Sequence, residues 1–183
     1  MTGDVAPLST TEYAVLGLLA EGPAHGFALA RRLESESPVG RVLTVRQPLV
    51  YRALRRLVES GNAEEAAVEP GVAGGRRVIH RITPAGRRRL TAWLGEPVGH
   101  VRDLRIEFLL KVVLLQRAGL SPLGLVRRQR AALEGTFAAI AATTDDAGDP
   151  VQVWRKHTAT AAADFLATLE ALFGRRRRSV GGT

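Results

Sequence analysis

Apolar residues recur at three- and four-residue spacing along most of this 183-residue chain, which predicts a mainly helical fold. The first run is Val15, Leu16, Leu18 and Leu19, behind Ser9-Thr10-Thr11-Glu12. A serine N-cap with a glutamate three residues on predicts a helix start there. That helix should run to about Glu21, where Gly22-Pro23 stops it. A second helix is expected from near His25-Gly26, burying Phe27, Leu29, Ala30 and Leu33. It should fade in Ser35-Glu36-Ser37-Pro38, and a short loop or strand at 42–45 leads to a third helix. There Val50, Ala53, Leu54 and Leu57 make a core stripe, while Arg52, Arg55 and Arg56 share another face. Gly61 stands where a helix C-cap belongs.

Strand-like runs follow. Ala66-Ala67-Val68 and residues 77–82 flank a glycine-rich segment, predicting a hairpin with a flexible tip. Thr83-Pro84 opens a fourth helix with Leu90, Trp93 and Leu94 inward. Past a joint at 95–101, three more helices are expected at about 103–118, 122–143 and 150–173. Asp103, Ser121-Pro122 and Asp149-Pro150 supply their start signals. In the last, Trp154, Thr158, Ala161, Phe165, Leu169 and Leu172 follow a nearly heptad path, which suits packing on helices or on a second subunit.

Helix, helix, helix, strand, strand is the order of a winged helix-turn-helix. The expected fold class is therefore mainly α: an N-terminal winged helix-turn-helix with a two-stranded wing at 8–94, and a helical domain at 102–174. Residues 175–183 read as a basic flexible tail.

Composition narrows the chemistry. The absence of cysteine excludes disulfides, thiolate metal sites and cysteine nucleophiles. The apolar run at 14–20 is too short to span a bilayer and has no basic flank, so a cytoplasmic protein without membrane contact is expected. His80, His100 and His157 are scattered and lack metal-ligand spacing. No phosphate loop, nucleophile elbow or paired carboxylates occur, so neither enzymatic activity nor a cofactor is expected. The net charge of +8 is unevenly placed: −3 over residues 1–40, +7 over 41–89, zero over 90–174 and +4 in the tail. Cations gathered beside a helix and a hairpin suit a polyanionic groove.

Several segments resemble the PadR family of bacterial transcription regulators. They are Val15-Leu16-Gly17-Leu18-Leu19, then Gly22-Pro23-Ala24-His25-Gly26-Phe27, then the run from Tyr51 to Gly61. Gly75-Arg76-Arg77 and Ile82-Thr83-Pro84-Ala85-Gly86-Arg87 complete the set. The C-terminal part is similar to the longer PadR subgroup, whose three-helix domain dimerises. The chain departs from the family pattern in three places. Gln47-Pro48-Leu49-Val50 replaces a small Ser/Gly-rich approach to Tyr51, Arg52 replaces a proline, and His80 an aromatic residue.

In a helix-turn-helix the second helix of the pair enters the major groove and its first residues reach base edges. Those are Gln47, Tyr51, Arg52 and Arg55, with Arg56 beside them. Glutamine can read adenine, and arginine guanine, by paired hydrogen bonds. Tyr51 has two readings: a filler at the core edge or, as the resemblance implies, a hydroxyl at the phosphates. Arg76 and Arg77 at the wing are candidates for backbone or minor-groove contact. His25 either donates to a phosphate or caps its helix. The resemblance implies a homodimeric repressor on a pseudo-palindromic operator in double-stranded DNA. It also implies relief by a small apolar or phenolic effector held between the domains, where Trp93 and Trp154 are candidate walls. The rival reading is a winged-helix interaction module docking an acidic partner.

Overall fold

Ser9 and Glu12 close a reciprocal cap on the first helix, α1 (Thr10–Glu21). The Ser9 hydroxyl accepts from the Glu12 amide at 3.3 Å, and the Glu12 carboxylate accepts from the Ser9 amide at 2.6 Å. Two of the amides that a helix start leaves unpaired are satisfied this way. Ala14, Val15, Leu16, Leu18 and Leu19 are all buried, so α1 is apolar on nearly every side and forms the centre of its unit. The computed structural model describes residues 7–70, 76–143 and 149–180, with side chains to 175. Two compact units divide the chain, one to Leu94 and one from Gly95.

A two-residue strand, β1 (Ala24–His25), precedes α2 (Gly26–Arg31). Leu29, Ala30 and Leu33 are buried as expected, but Phe27 is 51% exposed. The buried set centres on Gly26, and the next residue lies about 100° round the helix, off that stripe. Residues 42–45 form a loop, in which the Val45 amide donates to the Leu33 carbonyl and ties the chain back to α2.

Helix α3 (Gln47–Glu59) has Pro48 in its first turn, where the missing amide costs nothing. Val50, Ala53, Leu54 and Leu57 are buried on one side. Gly61 at φ +68° makes the left-handed turn that ends it. The chain then enters β2 (Ala63–Pro70), which pairs antiparallel with β3 (Arg76–Ile82). The register runs from Ala63 opposite Ile82 to Pro70 opposite Arg76, with a bulge between Glu65 and Ala67. β1 adds to the other edge of β3, giving the order β1-β3-β2. This third strand was not expected; two residues are too few to show a period. The expected hairpin tip, residues 71–75, lies outside the described residues. Thr83 caps α4 (Pro84–Gly95) by accepting from the Gly86 amide at 3.0 Å. Trp93 of α4 stacks on Tyr13 of α1, centroids 4.2 Å apart and planes within 6°.

The second unit begins with a 3-10 turn at Val101–Leu104, followed by α5 (Glu107–Arg117), α6 (Leu123–Ala141) and α7 (Pro150–Val180). Its core joins Phe108, Val112, Leu123, Val126, Leu133, Leu166 and Phe173, among others. Phe108 and Phe165 meet edge to face. Residues 95–98 are held by side chains of α5 and α6. Arg128 donates to the Gly95 carbonyl, Lys111 to that of Glu96, and the Gln129 amide bonds both the amide and the carbonyl of Val98. The buried Lys111 ammonium also faces the Glu107 carboxylate at 2.8 Å, as a buried charge requires.

Helix α7 is longer than expected, its backbone carrying on to Val180 past the expected end near 173. Its buried line is Ala159, Leu166 and Phe173, one position round from the expected stripe. Of that stripe, Phe165 and Leu169 pack on the core, whereas Trp154 is 71% exposed and Leu172 is exposed too. Among the described residues no helix is long and apolar enough to cross a membrane.

Candidate nucleic-acid interface

Amphipathic α3 turns four apolar residues inward and so fixes what faces out. Gln47, Tyr51, Arg52, Arg55 and Arg56 all lie on its exposed side. They divide into two flanks and a crest.

Tyr51 lies on the flank towards α2. A Cβ built on Gly26 would stand 2.6 Å from Tyr51 Cε1, so the phenol ring lies directly on the glycine that starts α2. No larger residue fits there without moving the ring. Tyr51 remains 43% exposed, and thus fills an edge while keeping part of its surface open. Next to it, His25 Nδ1 accepts from the Ala28 amide at 3.1 Å. The histidine therefore caps α2, and an accepting Nδ1 leaves Nε2 as the nitrogen that carries the proton.

Arg56 lies on the opposite flank, towards α1. Its Nε is 3.3 Å from the Glu12 carboxylate, whose side chain is only 4% exposed. A buried carboxylate needs partners, and Glu12 finds three in the Ser9 amide, the Ser9 hydroxyl and Arg56. Leu49 is on this flank as well, 49% exposed. It lines a shallow groove with Ser9, Thr11, Arg52 and Arg56. Neither the Glu12–Arg56 pairing nor a place for Leu49 in the site was expected from the sequence. The first joins residues 44 positions apart and has no local signal. The second was legible, because Leu49 falls outside the 50, 53, 54, 57 stripe.

Arg52 and Arg55 form the crest. Both are exposed, and among the described residues neither takes part in an ion pair. Arg46, the exposed N-cap residue, adds a further cation at the helix start and makes no side-chain cap.

The wing is less uniformly cationic. Arg76, the first residue of β3, is exposed, while Arg77 is half-buried and sits opposite Glu69 in the register. Arg81 Nε pairs with Glu64 at 2.6 Å. His80 lies opposite Glu65, and its Nδ1 is buried without a hydrogen-bond partner among the described residues. Burial holds its pKa below the ordinary histidine value, against the pull of the Glu65 charge.

The two tryptophans have different surroundings. Trp93 is 7% exposed and occupied with Tyr13. Trp154 lines a groove of about 640 Å³ in the second unit with His100, Arg102, Arg105, Ile140 and Arg155. No cluster of three metal-ligating side chains occurs among the described residues.

A capped short helix, a loop, an arginine-crested helix and a strand hairpin define a winged helix-turn-helix protein. Residues 15–92, from within α1 to near the end of α4, match the Transcriptional regulator PadR-like family. That match covers 78 of the 183 residues, all within the first unit, and the family is one of transcriptional regulators. Among solved structures it is similar to Bacillus subtilis PadR in complex with operator DNA. Identity is 18% over 92% of this chain and 98% of that one, with a TM-score of 0.48. The PadR-like regulator BC1756 from Bacillus cereus is 16% identical over 91% and 99% of the two chains, with a TM-score of 0.39. No curated protein matches the chain.

Proposed function

We propose that the chain is a sequence-specific DNA-binding regulator, acting as a homodimeric repressor that a small-molecule effector relieves. The observation that carries this reading is the crest of α3, where Arg52 and Arg55 are exposed and, among the described residues, free of ion pairs. Gln47 at the helix start and Tyr51 beside the crest complete a surface for base edges and phosphates. His25, through the ring nitrogen not used in its cap, and Arg76 serve as backbone contacts, and Arg77 as a weaker one because Glu69 faces it. Arg56 is held by Glu12 and contributes little.

Val151, Val153 and Leu172 leave apolar surface open on α7, and a second copy of the chain is the natural cover for it. A dimer would place two α3 helices on half-sites about one helical turn apart. The effector site is the Trp154 groove, whose exposed indole and three guanidinium groups suit an apolar or phenolic compound with an acidic group.

A second reading rests on Leu49 and Tyr51, apolar residues exposed among the arginines, as a surface docking an acidic protein segment would need. Titration of the full chain with labelled duplex from its own upstream region separates the two. Binding should weaken steeply with salt, and Arg52→Ala with Arg55→Ala should flatten the log–log salt slope by up to about 1.8. Unchanged affinity in the double variant would remove α3 as the DNA-reading element.

A further inference from the structure

Among the described residues, the exposed large apolar side chains of the first unit are Phe27, Leu49, Tyr51 and Val68, and the first three sit at the starts of α2 and α3. Tyr51 has its glycine seat and Phe27 lies beside the His25 ring at 6.4 Å. Leu49 is the third residue of α3, and half of it faces solvent in the turn nearest the proposed base edges. A leucine left open there has no role in the core, because Val50, Ala53, Leu54 and Leu57 supply the buried face.

Its neighbours limit what it can meet. The groove around it is lined by Ser9, Thr11, Glu12, Arg52, Ala53 and Arg56. Arg56 is held back by Glu12, so the cation free to act beside Leu49 is Arg52, three residues on. Residues three apart on a helix are side-by-side neighbours, about 5–6 Å between Cβ atoms. In the major groove an arginine matches the N7 and O6 acceptors of guanine, and an aliphatic side chain matches the 5-methyl group of thymine. Stacked base pairs are about 3.4 Å apart, so two such neighbours span adjacent steps.

We infer that Leu49 reads a thymine methyl group, and that this thymine adjoins the guanine contacted by Arg52. The inference rests on the DNA-binding reading above and names a specificity-determining residue within it.

The test uses the full chain and a duplex selected by it from random sequence. Each thymine of a half-site is replaced in turn by deoxyuridine, which lacks only the 5-methyl group, and each guanine by 7-deazaguanine. Loss of one buried methyl contact should weaken wild-type binding about three- to fivefold at a single thymine. Leu49→Ala should show the same loss on the natural duplex and then no difference between thymine and deoxyuridine. The guanine next to that thymine should be sensitive to 7-deaza replacement in wild type but not in Arg52→Ala. Indifference of wild type to deoxyuridine at every thymine overturns the inference, as does a full deoxyuridine effect persisting in Leu49→Ala. Either result leaves the DNA-binding reading standing, provided Arg52→Ala still weakens binding. Failure to select or bind any duplex overturns both, and so separates the two levels of the argument.

Discussion

Glu12→Gln is the perturbation that most sharply separates what holds α3 in place from what it offers to a ligand. Glu12 does two jobs: its carboxylate completes the cap on Ser9, and it holds Arg56 at 3.3 Å. Glutamine accepts from the Ser9 amide in the same way, so the cap survives while the charge disappears. The ion pair itself contributes modestly, because the Arg56 side chain is 57% exposed, and exposed pairs contribute up to about 1 kcal/mol. Glu12→Gln should therefore cost less than about 1 kcal/mol of folding stability. Glu12→Ala, which also removes the carboxylate's half of the reciprocal cap, should cost about 1 kcal/mol more.

The effect on binding has the opposite sign. Releasing Arg56 adds a cation able to reach a phosphate, which should steepen the log–log salt dependence by about 0.9 and tighten binding at low salt. Removing a negative charge alone would also help, so the cycle with Arg56→Ala is needed. In the Glu12→Gln background, Arg56→Ala should restore the wild-type slope; in the wild-type background it should change the slope little. Fluorescence anisotropy between 50 and 200 mM salt, about the range over which such contacts are felt, gives all four slopes. The reasoning is refuted if Arg56→Ala alone flattens the slope by a full contact. It is refuted equally if the steeper slope of Glu12→Gln survives loss of Arg56.

Two further outcomes follow from the geometry. His80 has a lowered pKa through burial, so the unfolded chain takes up a proton that the folded chain refuses. Its contribution is thus complete above the ordinary histidine value of about 6.5 and is lost as pH falls through the folded value. Denaturant melts at neutral and mildly acidic pH should show wild type losing more stability on acidification than His80→Phe; equal losses would show that His80 is not the group involved. Gly26→Ala would set a methyl group 2.6 Å from the Tyr51 ring, an overlap costing about 1–3 kcal/mol. It should lower both the melting temperature and DNA affinity, with the affinity loss at least matching that of Tyr51→Ala. Wild-type values for both would place the ring elsewhere.

Local signals carried most of the winged helix. The Ser9–Glu12 cap, Pro48 in the first turn of α3, Gly61 at a left-handed turn and Thr83 before Pro84 each act within four residues, so the sequence displays them whole. What was illegible depends on partners far along the chain. β1 exists because Ala24 and His25 pair with His80 and Ile79, and two residues have no period of their own. Phe27 has the residue type of the core yet sits off a stripe whose direction α3 sets, through the Tyr51 ring on Gly26. Helix α7 has apolar residues on two neighbouring faces, and only the packing of α6 and α5 decides that Leu166 and Phe173 go inward while Trp154 stays out.

The same distinction governs the charge. Eleven arginines against four glutamates over residues 41–89 look like one footprint in a linear count. Folding brings acids to some of them, Glu12 to Arg56 from a different helix and Glu64 to Arg81 across a strand pair. Each pairing removes a cation from the set that a polyanion can use. Clustering along a sequence is therefore an upper bound on a binding surface, and the cations that matter are the ones left after folding has chosen its pairs. On α3 those are Arg52 and Arg55. They stand on the crest because the core stripe fixes the helix rotation and Glu12 holds the flank. A substitution that rotated α3, for instance by burying Arg52 in place of Ala53, would move specificity without changing net charge, which no count of arginines would reveal.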